Sequence, residues 1–383
     1  MSLPTFHEHT RALATAFAAD AAERATRQTL DPDDFASLVH TGYLRCAIPE
    51  SHGGWFRSVP ASTRLICDTL RTLASGDGCV ALVAAMHPAV LIYWGLSDSP
   101  PAGRADAWKR QRQRIFDGVL AGELWGTITS EPGSGGDVLK TRATARPQDD
   151  GYRLSGDKHF GTGSGMNTWM VTTAIPEGES LPDVFFVGIK DRLWDGSEGV
   201  VQTAEWSAHG VMATQSHAFR FDDFPAERIA WSGRGPEIGP LAGAYANALF
   251  VSVIVGILDT AMSTARRRMA SRLSSMRALE QVAWQRAEND YWTVCQAYEG
   301  MLRAIETRPA FIADTIRAKT AIAELAERAV TGVGRAMGGG AFTRYNPLGQ
   351  WSQDIKALGF LRPPWGLAFE QLHQLQIASL TET

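Results

Sequence analysis

The spacing of apolar residues divides the chain into three parts. From residue 5 to about 120, apolar positions recur at helical spacing, as in FASLVHTGYLRCAI. From about 122 to 230 the pattern changes to short runs typical of strands, such as GYRLSG and DVFFVGI. Helical patterns return from about 240. The pattern predicts an α+β, mostly α protein with an N-terminal helical domain (1–121), a central β domain (122–232) and a C-terminal four-helix bundle (233–383).

Composition narrows the range of partners. With 383 residues, 44% of them apolar, and a net charge of -4, the chain is expected to be a globular protein with no nucleic-acid partner. Its four cysteines lie far apart without a CxxC pair, and no histidines or carboxylates have ligand spacing, so we predict neither a disulfide framework nor a metal site. The N-terminus does not resemble a secretory signal, and no long uninterrupted apolar run is present. We therefore expect a cytoplasmic location without membrane contact.

A glycine-rich segment, SEPGSGGD at 130–137, follows the apolar run 124–129. Its glycines permit close approach of the backbone to a ligand, and consecutive amides can form an anion site. A tight turn between strands explains the same residues equally well. The segment matches neither GxGxxG nor GxxxxGK[ST], so the common dinucleotide and P-loop interpretations do not apply.

Six segments together resemble the acyl-CoA dehydrogenase superfamily of flavoenzymes. They occur in the family's order and cover nearly the whole chain: AIPESHGGW (47–55), SGDGCVALVAAMH (75–87), LWGTITSEPGSGGD (124–137), GYRLSGDKHFGTGSG (151–165), HGVMATQSHAFRFDDFPAERI (209–229) and GGGAFTRYNPLGQWSQDIKA (338–357). The resemblance implies a small central β-barrel and a noncovalent flavin, usually FAD, bound between the barrel and the bundle. It also implies a homodimer or homotetramer, because a neighbouring subunit completes the family's flavin site.

The resemblance assigns roles to individual residues. The flavin contacts that it implies are Ser130, Gly135, Asp137, Phe160, Gly161, Thr162, Arg268, Gly338, Gly339 and Gly340, and Ser134 is implied at the substrate. Thr162 is the hydroxyl expected to reach the N5 or O4 side of the flavin, and Arg268 the cation expected at a pyrophosphate across the subunit interface. The family places a Phe-Gly pair three residues after this arginine, whereas this chain has Ser271 and Arg272. FMN is therefore an alternative to FAD.

The catalytic base is where the sequence departs most from the dehydrogenases, which use a carboxylate to remove a proton alpha to a thioester. Counting from Asp354 places Arg362 at or beside the usual glutamate, and the second usual location, 246–256, also contains no acid. Glu370 comes eight residues too late. A dehydrogenase interpretation therefore requires a base from an unusual position.

The missing base favours a second interpretation, the flavin-dependent monooxygenase branch of the same superfamily. KHFGTG (158–163) resembles the pattern of these enzymes, with Thr162 in place of a serine, and His87 falls where they carry a pocket histidine. LRPPW (361–365) resembles their His-x-Pro segment, although Leu361 replaces the histidine. Three aromatic residues around this segment are expected to line an aromatic substrate pocket: Trp351, Phe360 and Trp365.

Three functions follow in order of preference. The first is dehydrogenation of an acyl-CoA or related thioester by an FAD-dependent oxidoreductase, with an electron-transfer partner. The second is oxygenation of a small molecule by reduced flavin and O2, supplied by a flavin reductase. The third is a non-catalytic flavin-binding protein. The candidate catalytic residues are His87, Thr162 and Arg362.

Overall fold

The computed structural model describes residues 3–96, 100, 103–149 and 151–381. Its helices lie before and after a central group of strands. Six precede the strands: α1 Leu3–Ala19, α2 Ala21–Arg24, α3 Pro32–His40, α4 Val59–Ala74, α5 Gly78–Gly95 and α6 Ala105–Leu120. Five follow them: α7 Arg234–Met269, α8 Ala278–Thr307, α9 Ile312–Met337, α10 Leu348–Leu358 and α11 Trp365–Thr381.

Capping residues explain where the N-terminal helices begin. Asp31 accepts a hydrogen bond from the Asp33 amide at the start of α3, and Asp77 accepts from the Cys79 and Val80 amides at the start of α5. Helices α5 and α7 are long and apolar enough to cross a membrane, but 78% and 83% of their most apolar windows are buried inside the protein. Their apolar composition therefore matches a position at the centre of the core.

The strands form a closed, strongly curved sheet. They are β1 Trp125–Thr127, β2 Thr144–Gln148, β3 Gly151–Gly161, β4 Trp169–Pro176, β5 Asp183–Gly188, β6 Val200–Ala204 and β7 His217–Arg228. Hydrogen-bonded neighbours run β4, β2, β3, β7, β5 and back to β4, with β1 added to β4 and β6 to β7. Phenylalanines and aliphatic residues, including Phe185, Phe219 and Leu154, fill this barrel as a separate core.

The C-terminal helices pack around α7. Helices α7, α8, α9 and α10 contact one another, and α11 lies on α9. Burial at helical spacing along α9, from Ile316 through Ala323 and Val330, places one face of this helix in the core. The predicted α+β, mostly α architecture, with a central β-barrel and a C-terminal helical bundle, is confirmed.

Candidate active site

The segment 130–137 is a compact loop fixed by its own hydrogen bonds. Three of its glycines, Gly133, Gly135 and Gly136, have positive φ angles of 78°, 62° and 83°, which other residues adopt only with strain. The Ser134 hydroxyl donates to the Glu131 carbonyl at 3.0 Å and accepts from the Gly136 amide at 3.3 Å. Ser134 is buried and its hydroxyl braces the turn, whereas its predicted contact with a substrate stays a prediction.

A buried ion pair anchors this loop to the barrel. Lys158 Nζ lies 2.6 Å from Glu131 Oε1 and also donates to the Thr173 carbonyl at 2.6 Å. The other carboxylate oxygen of Glu131 accepts from the Arg142 amide at 2.7 Å. Burial lowers the pKa of Lys158, and hydrogen bonds from Lys158 and Thr141 lower the pKa of Glu131 although burial opposes them. Glu131 is therefore an ionised residue whose two carboxylate oxygens both accept hydrogen bonds from the barrel.

The end of β3 runs beside this loop. The His159 amide donates to the Ser130 carbonyl at 2.8 Å, and the pairing of β3 with β7 is irregular between Lys158 and Gly161. At this bulge Phe160 has a φ of 59° and turns its ring outward, where it is 57% exposed. The Phe160 ring is thus exposed one residue after the contact with Ser130, and the flavin contacts of Phe160 and Gly161 stay a prediction.

Thr162 lies just beyond the bulge in a chain of hydroxyls. Its Oγ1 accepts a hydrogen bond from Ser216 Oγ at 3.1 Å, and Ser216 in turn lies 2.8 Å from Thr214 Oγ1. Thr214 Oγ1 also donates to the Val211 carbonyl at 2.9 Å, so the three hydroxyls form one connected chain that ends on the backbone. The predicted role of Thr162 at a flavin stays a prediction.

Arg362 joins the segment between α10 and α11 to the loop at 130–137. Its Nη2 donates to Ser130 Oγ at 2.9 Å and to Thr129 Oγ1. Burial lowers the pKa of Arg362 to about 10, while the charges of Tyr93 and Asp137 oppose this. The side chain is half-buried and remains a cation at neutral pH. The loop and the segment that follows Asp354 therefore meet in one place.

A buried lysine holds the segment that carries Arg362. Lys319 Nζ donates to the carbonyls of Gly359 at 2.7 Å and Pro363 at 2.8 Å, and it lies 5.2 Å from the centre of the Trp365 ring. Burial lowers the pKa of Lys319 to about 8. An atom added at the Cβ position of Gly136 would meet Pro364 at 3.0 Å, so loop and segment are in close contact.

His87 corrects one sequence expectation. It lies in α5 with no exposed surface, and its Nδ1 accepts a hydrogen bond from the Trp125 amide at 3.1 Å. Burial lowers its pKa to about 3, so the imidazole is neutral at physiological pH. A fully buried ring with so low a pKa is a poor proton acceptor, and the structure places His87 in the core instead of at an open pocket.

The predicted aromatic pocket is also corrected. Among the described residues, no ring contact joins Trp351, Phe360 and Trp365. Trp365 stacks on Phe369, and Phe360 is 68% exposed. Trp351 instead borders a cavity of about 30 Å³, which Asp77 and Asp354 also line. The three rings therefore do not form one aromatic cluster in the described part of the chain, and their contacts with a substrate stay a prediction.

Asp354 on α10 is a buried carboxyl group at this cavity. It accepts hydrogen bonds from the Val211 amide at 2.6 Å and from Gln350 Nε2 at 2.7 Å. Burial raises its pKa to about 7, and the charge of Asp77 adds to the shift. Asp354 therefore joins α10 to the connection before β7 and does not face the loop at 130–137.

The predicted phosphate-binding residues lie at the far end of the bundle. Arg268, in the last turn of α7, is exposed, and Gly338, Gly339 and Gly340 form an exposed turn after α9. Arg272 Nη1 approaches the Met337 carbonyl at 3.5 Å, so these two helix ends are neighbours. Their role at a flavin of a neighbouring subunit stays a prediction. Among the residues described by the structure, no cluster of three His, Cys, Asp or Glu side chains is placed to hold a metal.

Sequence reasoning missed four contributors to the site: Thr129, Lys319, the Glu131–Lys158 ion pair and Tyr93. The burial of Lys319 could have been recognised from the sequence, because this lysine occupies a core-facing position in the apolar spacing of α9. Lys158 and Glu131 stand on opposite sides of a glycine-rich turn and carry no signal that they pair. Tyr93 sits in a uniformly apolar helix and is revealed only by its proximity to Arg362.

Comparison with solved structures decides the fold. The chain aligns with KijD3 in complex with FMN and dTDP-3-amino-2,3,6-trideoxy-4-keto-3-methyl-D-glucose at a TM-score of 0.81 and 19% identity, covering 98% of this chain and 94% of that one. The chain has the acyl-CoA dehydrogenase fold. The FMN in that structure agrees with the predicted flavin, FAD or FMN.

Curated relatives fall into two groups. A dibenzothiophene monooxygenase of Mycolicibacterium goodii is 29% identical over 248 residues, which cover 60% of this chain and 54% of that protein. The probable acyl-CoA dehydrogenase FadE25 of Mycobacterium tuberculosis is 21% identical over 374 residues, covering 92% and 91%. The chain thus spans little more than half the length of that monooxygenase. These relatives confirm the resemblance to the acyl-CoA dehydrogenase superfamily and to its monooxygenase branch. No protein-family model matches the chain.

Proposed function

We propose that this protein is a flavin-dependent monooxygenase with the acyl-CoA dehydrogenase fold. It uses reduced flavin, supplied by a partner reductase, and O2 to insert one oxygen atom into a small organic substrate. The match to a dibenzothiophene monooxygenase supports this choice, as does the chemistry of the residues around Ser130. This reverses the order of preference that the sequence alone suggests.

One observation carries the choice: the described part of the site offers no free carboxylate as a base. Arg362 occupies the contact with Ser130 where a dehydrogenase needs its carboxylate. Glu131 is tied to Lys158, and Asp137 Oδ1 caps the following turn at the Leu139 amide, 2.9 Å away. Removal of a proton alpha to a thioester requires a carboxylate or another base within hydrogen-bond reach. A cation there is unsuited to that step.

The donor set fits a flavin. Phe160 presents an exposed ring for a flat ligand, Thr162 places a hydroxyl just beyond the bulge, and the loop at Gly133 and Gly135 has open backbone with no atom near a Cβ position. When bound, reduced flavin supplies the two electrons that convert O2 into one inserted oxygen atom and one water. The protein's part is to hold the ring system, donate a hydrogen bond from Thr162 and keep the loop fixed through Lys158.

The experiment that tests the proposal traces an oxygen atom from O2 into the product. The purified protein with its flavin is combined with NADH, a flavin reductase and ¹⁸O2, and offered dibenzothiophene and a panel of flat aromatic compounds. We expect one ¹⁸O atom per product molecule by mass spectrometry. A Thr162→Val variant should transfer less oxygen and release more hydrogen peroxide, whereas Thr162→Ser should retain most of the transfer.

A second measurement tests dehydrogenation directly. The oxidised protein is mixed without oxygen with acyl-CoA thioesters of several chain lengths. We expect the flavin absorbance to remain unchanged. Bleaching of the flavin with formation of an enoyl product would establish a dehydrogenase and contradict the proposal, and absence of any flavin uptake would contradict both.

A further inference from the structure

The cationic group of Arg362 differs from the other partly buried arginines of the chain. Arg24 is paired with Asp34 and Asp77, and Arg228 with Asp183 and Glu179. Within the described residues, Arg362 has no carboxylate within ion-pair distance and uses only Nη2 in hydrogen bonds, both to hydroxyls. The charge of Asp137 acts on Arg362 from beyond ion-pair distance, so the guanidinium can still pair with a bound anion.

The surroundings are arranged to keep this guanidinium in place. Lys319 binds the two carbonyls that bracket the arginine's segment, at Gly359 and Pro363, and Pro364 packs on Gly136. Thr129 and Ser130 accept from Nη2, so their hydroxyl hydrogens are available to a further acceptor. Nε and Nη1 have no protein acceptor among the described residues. The Nε and Nη1 hydrogens and the two hydroxyls therefore remain for a ligand.

We propose that Arg362, Thr129 and Ser130 form an anion-binding subsite that selects substrates carrying a carboxylate or a similar planar anionic group. Because Thr129 and Ser130 use both Nη2 hydrogens, such a group would accept a charge-assisted hydrogen bond from Nε or Nη1 and further hydrogen bonds from the two hydroxyls. This inference rests on the proposed function, since it names the substrate class for that same site. The phosphate of the flavin has the same chemistry, and the experiment separates the two sources.

The test uses two probes of equal shape. Benzoate and benzamide are titrated into the oxidised flavin-containing protein, and binding is followed by the change in flavin absorbance or by calorimetry. We expect benzoate to bind about tenfold to a hundredfold more tightly than benzamide, in line with one charge-assisted hydrogen-bonded pair. In Arg362→Gln this preference should fall to about one, and Arg362→Lys should retain part of it.

A matched control removes a nearby charge that lies outside the subsite. Lys140 is exposed and lies 3.9 Å from Asp137, so Lys140→Gln changes the net charge by the same amount close to the loop. The benzoate preference should persist in this variant. If Lys140→Gln abolishes the preference as completely as Arg362→Gln does, the effect is one of general charge and the proposal is overturned.

The flavin source is tested by comparing FMN with riboflavin. One outcome is that Arg362→Gln weakens the binding of FMN but not of riboflavin, and that benzoate and benzamide bind alike to the unaltered protein. In that case Arg362 holds the flavin phosphate and the proposal fails. Anion binding to oxidised protein requires no oxygen transfer. A benzoate preference without ¹⁸O incorporation would therefore contradict the proposed function and support the subsite, and ¹⁸O incorporation without the preference would do the reverse.

Discussion

Lys158 Nζ lies 2.6 Å from Glu131 Oε1, and neither side chain is open to solvent. Removal of one partner leaves a buried charge without compensation, which typically lowers the free energy of unfolding by about 3–5 kcal/mol. We expect this loss for Lys158→Met in urea unfolding, and a smaller loss for Lys158→Met combined with Glu131→Gln than the sum of the two single variants.

The same strand supplies the control for this pair. Arg220 and Asp157 form an ion pair of 2.8 Å on the barrel surface, where both side chains are largely exposed. Asp157→Asn should lower the free energy of unfolding by less than about 1 kcal/mol. Equal losses at the exposed and the buried pair would show that Lys158 does not anchor the loop.

Gly136 and Gly135 permit a test of the contact between the loop and the segment that carries Arg362. Both have positive φ, so alanine at either position introduces backbone strain of about 1–2 kcal/mol. Only at Gly136 would the new methyl group meet Pro364, at 3.0 Å, whereas no atom lies within 4 Å at Gly135. We expect Gly136→Ala to be the more destabilising in thermal unfolding and to weaken flavin retention more. Equal effects would mean that loop and segment move independently.

Asp354 makes the stability of the protein depend on pH. Its pKa is raised from 3.8 to about 7 in the folded protein, so the folded state binds the proton more tightly than the unfolded chain does. Its stabilising contribution is complete below about pH 4 and is lost as the pH rises to about 7. Asn keeps the oxygen that accepts from Val211 and Gln350, and it does not ionise.

For Asp354→Asn we therefore expect the free energy of unfolding relative to the unaltered protein to rise with pH. The gain should approach about 4 kcal/mol at most at pH 8, given about 1.4 kcal/mol per pKa unit. Near pH 4 the two proteins should differ by under about 1 kcal/mol. A difference that does not change between pH 4 and 8 would contradict the raised pKa.

His87 should make the free energy of unfolding depend on pH in the acid range. Its folded pKa of about 3 lies below the ordinary value of 6.5, so the unfolded chain takes up the proton first as the pH falls. The contribution of neutral His87 to the free energy of unfolding is complete above about pH 6.5 and decreases toward pH 3. At pH 4 about 3 kcal/mol of it is lost. His87→Gln retains an acceptor for the Trp125 amide and removes the titration, so its unfolding free energy should fall less between pH 7 and 4. Identical pH slopes would show that His87 is not buried in neutral form.

The parts of the fold that depend on local spacing could be predicted from the sequence, and the contacts between distant segments could not. The apolar period identifies the helices of the bundle, and glycine clusters locate the loop at 130–137. Arg362 and Ser130 are 232 residues apart, and nothing in either segment indicates that they touch. The uniformly apolar helix around His87 indicates a buried ring, whereas a role in the reaction follows only from the family resemblance.

The hydrogen bonds from Lys319 to the Gly359 and Pro363 carbonyls also matter for exchanging segments between proteins of this fold. The backbone at Gly359 is held by an ammonium group supplied 40 residues earlier, on a different helix. Transplanting the 359–365 segment alone into another member of this fold would move its sequence without the side chain that supports its backbone. A functional graft would have to move position 319 together with the segment, so the smallest transferable unit is discontinuous in the chain.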